Sequence, residues 1–173
     1  MSYTTIIAVF PGDKAVCSNE LRNSHGSAPV VWDALSKRYL GWDIWMRADM
    51  SDLWNLWKDK SIPEAHRAVL MMTFDKAYVA REHYKRAAND IDKFLADFPE
   101  DPNKVNHWPA IAIMFHNELT GIPGTGFWHT SVSENPFAGR WNDEKEEYDP
   151  PDWSEIYSIY DELDKLKEKD GDA

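Results

Sequence analysis

Four tryptophans within the stretch Gly41–Lys60 constrain most strongly how this chain can fold. Trp42, Trp45, Trp54 and Trp57 alternate with polar and charged residues in the amphipathic order that one-sided burial produces. Each indole can bury ~150–250 Å², so the nine tryptophans of this 173-residue chain can cover much of its core. The pattern favours a tryptophan-filled interior over an open aromatic surface, with Trp45 or Trp57 as a partly exposed edge for partner contact.

Three segments of the chain carry strand signals. The β-branched, apolar run Thr4–Phe10 precedes a Pro-Gly turn, and Ala15–Leu21 is a possible hairpin return. A further strand candidate is Phe127–Val132. We therefore expect a small two- or three-stranded sheet made from the N-terminal strand and the segment near Trp128.

Helical periodicity covers most of the remaining chain. One helix is expected after Ser27, ending at Gly41. Further helical patterns occupy residues 51–59, 61–98, 106–121 and about 152–169. The second of these is unusually long, and a break near Thr73 to Asp75 is plausible. The predicted fold class is α+β, mainly α, with about five helices in a single globular domain of residues 1–173 and a frayed end at 170–173.

The negative charge of the chain is concentrated near its C-terminus. The net charge is −11, and the stretch Trp141–Ala173 holds 13 Asp and Glu against 4 Lys. Direct nucleic-acid binding is disfavoured, since a phosphate backbone normally needs a positive footprint. An acidic terminal region can instead keep a protein soluble, contact a basic partner or imitate nucleic acid.

Cysteine content and the N-terminal sequence indicate the compartment. Cys17 is the single cysteine, which excludes an internal disulfide framework and fits a reducing cytosol. The apolar run near the N-terminus is too short for a signal sequence or a membrane span. We expect a soluble cytoplasmic protein with no membrane association.

Metal, cofactor and nucleophile motifs are not found in the sequence. No two of the six histidines stand three or four residues apart, and neither HExxH nor a paired CxxC occurs. The glycines of "GIPGTG" are followed by no Gly-Lys-Ser/Thr, and no G-x-S-x-G elbow is present. We therefore predict no metal and no cofactor.

The segment Gly126–Phe137 is the one place where polar groups suggest a pocket. Strand alternation would put His129, Ser131 and Ser133 on one face, with Glu134 close behind. A buried strand ending in a Ser/Asn-rich turn explains the same residues. We favour the buried strand, and a pocket wall with hydrolytic chemistry remains the alternative.

Two short segments of the chain resemble known sequences. "NHWPAIA" at Asn106–Ala112 and "SVSENPF" at Ser131–Phe137 resemble small uncharacterised proteins encoded by phages and prophages. The resemblance implies a cytosolic protein of a bacterial cell or a phage-infected host, acting as an accessory factor on host machinery. It brings no catalytic residues with it.

Charge and aromatic content together favour a non-enzymatic protein-binding factor. Its acidic, aromatic C-terminal surface would meet a basic surface on a partner protein. The residues predicted to make this contact are Trp141, Tyr148, Asp152, Tyr157 and Asp161. The alternatives are a hydrolase with a site around His129, an acidic nucleic-acid mimic and a phage assembly component. The oligomeric state stays open.

Overall fold

The structure is a computed structural model, and it describes residues 3–12, 14–22, 26–99, 103–117, 122–129 and 137–169. The strands in these ranges are β1 (Tyr3–Phe10), β2 (Lys14–Arg22), β3 (Ala77–Ala80), β4 (Gly124–His129), β5 (Trp141–Asn142), β6 (Glu147–Tyr148) and β7 (Tyr157–Ser158). Five of them form one sheet in the order β2-β1-β4-β3-β7, and β5 and β6 form a separate hairpin.

Antiparallel pairing dominates the sheet. The predicted hairpin of β1 and β2 is confirmed, with Thr4 opposite Leu21 and a register shift between Ile6 and Ile7. Strand β4 pairs with β1 on one side and with β3 on the other, both antiparallel. Strand β7 is parallel to its neighbour, β3. The sheet therefore has more strands than the two or three predicted.

The α-helices in the described part of the chain are α1 (Ala28–Leu35), α2 (Ser51–Asn55), α3 (Glu64–Met71), α4 (Tyr84–Asp97), α5 (Trp108–His116) and α6 (Ile159–Glu168). Helix α1 continues as a π-helical turn, Ser36–Leu40, and ends at Gly41, whose φ of 70° suits a residue without a Cβ. Short 3₁₀ turns cover Ile44–Met46, Leu56–Lys58 and Arg81–His83. The prediction of a mainly helical α+β fold is confirmed.

The long helix predicted over 61–98 is two helices with a strand between them. The break lies where it was expected, after Met71, and the Thr73 hydroxyl donates to the Leu70 carbonyl oxygen at 2.7 Å. Lys76 has a φ of 67°, which redirects the chain into β3. Pairing of β3 with β4 and β7 outweighs the helical propensity of this segment.

Helix α6 begins later than the predicted start at Asp152. The Asp152 carboxylate accepts hydrogen bonds from the backbone N–H and hydroxyl of Ser154, so it closes a local turn instead of capping a helix. Residues 157–158 then pair with β3 before α6 starts at Ile159. Residues 170–173, expected to fray, lie outside the described residues.

One face of the sheet packs against the helices and forms the main core. Fully buried members of this core include Val79 and Phe127 from the sheet and Ile91, Phe115 and Leu163 from the helices. Trp108 is also buried there, at 2% exposure. Partly buried tryptophans pack against this core at positions 32, 42, 54 and 57.

A smaller cluster lies apart from the main core. Ile7 and Val9 of β1 pack there with the buried Phe137, and Trp153 and Ile156 lie against them partly buried. A Cβ on Gly126 would stand 2.5 Å from a Phe137 ring carbon, so this position of β4 needs glycine for the close approach. Residues 137 and 153 therefore anchor the chain on both sides of the β5–β6 hairpin.

Candidate functional site

The β5–β6 hairpin is the acidic hairpin, defined as residues 141–148. Trp141 pairs with Tyr148 and Asn142 with Glu147, leaving a turn of residues 143–146. The Asn142 side-chain oxygen accepts hydrogen bonds from the backbone N–H groups of Glu144 and Lys145, at 3.1 and 3.2 Å. Glu146 adopts a φ of 53°, which closes the turn. These local hydrogen bonds order the turn.

The base of the acidic hairpin is held by backbone contacts. The Gly139 N–H donates to the Asp149 carbonyl oxygen at 3.0 Å, and the Asp149 N–H donates to the Arg140 carbonyl oxygen at 2.9 Å. A Cβ at position 139 would lie 2.3 Å from the Asp149 carbonyl oxygen and 2.6 Å from that of Pro150. Because both neighbours are backbone, the residue at this position must be glycine.

Replacing Gly139 with alanine is expected to displace the base of the acidic hairpin while leaving the core folded. The added methyl group has no space, so the backbone at Asp149 must move. The measurement is the chemical shift of the Trp141 indole N–H. The matched control is Gly41→Ala, which costs about 1 kcal/mol through its positive φ but meets nothing within 4 Å. An unchanged Trp141 signal in Gly139→Ala would contradict the close packing of Gly139 against Asp149.

Two large aromatic side chains stand exposed on the acidic hairpin. Trp141 is 51% exposed and Tyr148 is 62% exposed. Their rings lie edge to face, with centroids 5.1 Å apart and an angle of 75° between the planes. This cross-strand contact holds the pair in one arrangement. The pair is therefore a preformed aromatic surface.

Carboxylates surround this aromatic pair. Asp143, Glu144, Glu146 and Glu147 are all exposed, and within the described residues none of the four forms an ion pair. Lys145, the single cation of the acidic hairpin, lies 3.5 Å from the Asp149 carboxylate. The aromatic surface consequently sits in a negative local potential.

The other predicted contact residues lie outside the acidic hairpin. Asp152 is exposed, and the hydrogen bonds from Ser154 hold the pKa of its carboxyl below the usual value. Tyr157 is half-buried in β7 and packs against the main core, and this burial raises its pKa to about 12. The Asp161 carboxylate is 59% exposed and lies 3.6 Å from Nε2 of His83. The structure thus brings Trp141 and Tyr148 together, whereas Asp152, Tyr157 and Asp161 lie elsewhere on the chain.

The pocket predicted around His129 lies largely outside the described residues. His129 ends β4, where its backbone is opposite Thr4. Ser131, Ser133 and Glu134 fall in a part of the chain that the structure does not describe. Hydrolysis at this place stays a prediction.

A buried histidine links two side chains from other elements, an arrangement that sequence reasoning missed. His66 of α3 is 4% exposed. Its Nδ1 lies 2.6 Å from the Tyr39 hydroxyl, and its Nε2 lies 2.8 Å from Oδ2 of Asp97. With a neutral ring, Nε2–H donates to the carboxylate and the Tyr39 hydroxyl donates to Nδ1. The partners are too far apart in sequence for any local motif to reveal them.

A second polar arrangement, the Arg86 cluster, joins α3, α4 and α6. It comprises Glu64, Arg86, Asp164 and Lys167. Arg86 contacts both Asp164 oxygens, at 2.8 and 2.9 Å, and its Nη2 lies 2.6 Å from Oε1 of Glu64. Lys167 approaches Glu64 to 2.5 Å. These pairs neutralise part of the C-terminal acidity, so not all of it faces solvent.

Close to the Arg86 cluster, a buried carboxylate is held by a tyrosine. Asp90 is 4% exposed and accepts a 2.9 Å hydrogen bond from the Tyr160 hydroxyl. Burial raises the pKa of Asp90, although this hydrogen bond opposes the change. Burial also raises the pKa of Tyr160, which stays a donor at physiological pH. The contact fastens α6 to α4.

Comparisons with models of protein families, with curated proteins and with solved structures found no match for this chain. Within the described ranges, no three His, Cys, Asp or Glu side chains are grouped so that they could hold a metal ion. No helix in the same ranges is both long enough and apolar enough to cross a membrane.

Proposed function

We propose that this protein is a non-enzymatic binding factor that contacts a basic surface of a partner protein through the acidic hairpin. The observation that carries the proposal is the preformed pair of Trp141 and Tyr148, exposed among four carboxylates that form no ion pair with any residue whose side chain the structure describes. Exposed aromatic pairs held in one geometry need little ordering when they bind. Tryptophan and tyrosine are also the residues most enriched at the energetic centres of interfaces.

Charge and aromatic surface would contribute in different ways. The carboxylates attract a basic partner and raise the association rate, an effect that salt screens. The two rings bury apolar area and offer their faces to Arg or Lys side chains, which sets how slowly the complex dissociates. Binding is therefore expected to weaken with ionic strength without vanishing.

The proposed setting is the cytoplasm of a bacterial cell or a phage-infected host, and this rests on the resemblance to phage and prophage proteins. An acidic nucleic-acid mimic is less well supported, because two carboxylates of α6 are engaged within the chain. Asp164 binds Arg86, and Glu162 lies 2.6 Å from Lys165. The four exposed carboxylates of the acidic hairpin lie in its turn and on the adjoining residue of β6 instead of forming two rows.

The test is capture of partners from a bacterial lysate by the immobilised full chain, followed by binding measurements on the purified partner. The double variant Trp141→Ala/Tyr148→Ala is expected to lose at least about tenfold in affinity, consistent with two interface anchors. Met46→Ala is the matched control, since Met46 is a large apolar side chain that is 82% exposed at another place. It is expected to bind like the unaltered chain.

A charge variant separates the two contributions. Asp143→Asn/Glu144→Gln/Glu146→Gln/Glu147→Gln is expected to slow association at low salt and to leave dissociation nearly unchanged. Circular dichroism checks that each variant is folded. Retention of the same partners at the same affinity by the aromatic double variant would refute the acidic hairpin as the binding surface.

A further inference from the structure

A groove of about 730 Å³ lies between α1 and the C-terminal end of α4, away from the acidic hairpin. Residues 104–106 and the 3₁₀ turn at Trp45 complete its walls. Its volume falls in the range of sites for small organic molecules. The chemistry of its lining determines which class of ligand the groove can bind.

Most of the lining is apolar. Val30, Ala34, Leu95 and Phe98 contribute aliphatic and aromatic surface. Trp45 also lines the groove and is 64% exposed. Its backbone N–H donates to the Asp43 carboxylate at 2.9 Å, which orders the turn that carries it. An accessible indole on an apolar wall suits a ligand with a hydrocarbon body or a cationic group.

Asp97 brings a fixed negative charge to this apolar groove. Its Oδ2 accepts the hydrogen bond from buried His66, whose ring packs against those of Phe94 and Phe98, at centroid distances of 6.0 and 4.9 Å. The other oxygen of Asp97 accepts no hydrogen bond within the described residues. The hydrogen bond from His66 thus fixes the orientation of the Asp97 carboxylate, and its other oxygen remains available to a ligand.

Asp33 is the second carboxylate of the lining. Its Oδ2 accepts a hydrogen bond from Lys37 at 2.7 Å. Its Oδ1 is buried and has no hydrogen-bond partner among the residues that the structure describes. A buried carboxylate oxygen without a partner is unfavourable. Because this oxygen exposes no surface to the groove and Lys37 holds the other one, Asp33 makes no direct contact with a ligand.

We infer that the groove is a binding site for a small organic cation, an amine or guanidinium attached to an apolar body. Of the two carboxylates in the lining, Asp33 is already paired with Lys37 at 2.7 Å, whereas Asp97 is 58% exposed and keeps one oxygen for a ligand. An anionic ligand would be repelled by Asp97, and a neutral apolar ligand would cover its charge without compensation. The cation pairs with Asp97, and the apolar body packs on Trp45 and Phe98.

The test uses 2-phenylethylamine and its neutral analogue 2-phenylethanol as probes, with the full chain labelled with ¹⁵N. The Trp45 indole N–H signal is assigned with Trp45→Phe. The amine is expected to shift this signal in a saturable manner, and the alcohol to bind at least about tenfold more weakly. Equal binding of the two probes, or no shift by the amine at millimolar concentration, would overturn the inference.

Substitutions of single carboxylates test which of them contacts the bound amine. Asp97→Asn keeps an acceptor for His66 and is expected to weaken amine binding by about tenfold. Asp33→Asn should change it less, because Lys37 already pairs with Asp33 at 2.7 Å. The control is Asp92→Asn, on the same helix, where the carboxylate is 54% exposed, pairs with His116 and does not line the groove. Equal affinity in Asp97→Asn and the unaltered chain would sink the assignment, as would equal losses in Asp97→Asn and Asp92→Asn.

Discussion

Replacing Trp108 with alanine is expected to lower the free energy of unfolding by about 3–5 kcal/mol, the usual cost of truncating a buried tryptophan. Trp108 opens α5, is 2% exposed and has its ring centroid 6.3 Å from that of Phe127 in β4. Its indole N–H donates to the Ser27 carbonyl oxygen at 2.9 Å. The Ser27 oxygen also accepts from the Val30 backbone N–H at 3.1 Å, so the substitution leaves a cavity and removes one of two hydrogen bonds to this acceptor.

Two controls separate these causes, with urea unfolding as the measurement. Trp108→Phe keeps most of the apolar volume and loses one hydrogen bond to an acceptor that retains another, so a loss of about 0.5–1.5 kcal/mol is expected. Ile113→Ala on the same helix changes a residue that is 59% exposed and should stay within about 0.5 kcal/mol. A loss below about 1 kcal/mol for Trp108→Ala would mean that this indole does not anchor α5 on the sheet.

The amphipathic order of the tryptophans predicted which of them pack against the core. Trp54 packs partly buried, with its ring 5.1 Å from Trp32 and 5.8 Å from Phe74. Of the two proposed edge positions, Trp45 is exposed, whereas Trp57 is half-buried. Neighbouring polar residues carry this information because a helical turn has only one buried side.

Long-range pairing was the part of the fold that sequence reasoning could not supply. Strand β3 has four residues and β7 has two, too few for a periodic signal. Both depend on hydrogen bonds to segments far away in the chain. The link from Tyr39 through His66 to Asp97 is hidden for the same reason, because three separate elements supply its members.

The acidic hairpin could be predicted from the sequence only in part. Charge and aromatic content pointed to Trp141 and Tyr148 as contact residues, and the structure places them side by side. Their register depends on the side chain of Asn142 and on the positive φ of Glu146. Asparagine is a recognisable turn former, whereas glutamate at positive φ is uncommon and gives no sequence signal.

Replacing Arg86 with alanine is expected to lower the free energy of unfolding by about 2–3 kcal/mol, below the value for a fully buried ion pair because the Arg86 side chain is 28% exposed. The change removes the guanidinium between Glu64 and Asp164 and leaves Lys167, at 2.5 and 3.3 Å, as the cation that contacts both. It also removes the contact of the guanidinium carbon with the Tyr160 ring, 4.4 Å from the ring centroid. Arg86→Lys keeps the charge and loses the bidentate geometry, so an intermediate loss is expected.

Measuring the stability at low pH should show how much of the loss in Arg86→Ala is electrostatic. The hydrogen bonds from Arg86 lower the pKa of Asp164 from 3.8 to about 2. Hydrogen bonds from Lys167 and Arg86 outweigh burial and also lower the pKa of Glu64. A carboxyl whose pKa is lower in the folded state stabilises the fold above its unfolded pKa, and this contribution is lost as the pH falls towards the folded value.

The difference in stability between the unaltered chain and Arg86→Ala should therefore shrink as the pH falls from about 4 to about 2, the window set by the pKa of Asp164. Asp164 alone contributes no more than about 1 kcal/mol, because solvent screens a side chain that is 43% exposed. Thermal unfolding of both proteins and of Asp164→Asn across this window is the measurement. A difference that stays constant would show that Arg86 holds α6 by packing on Tyr160, and that its charge contributes little.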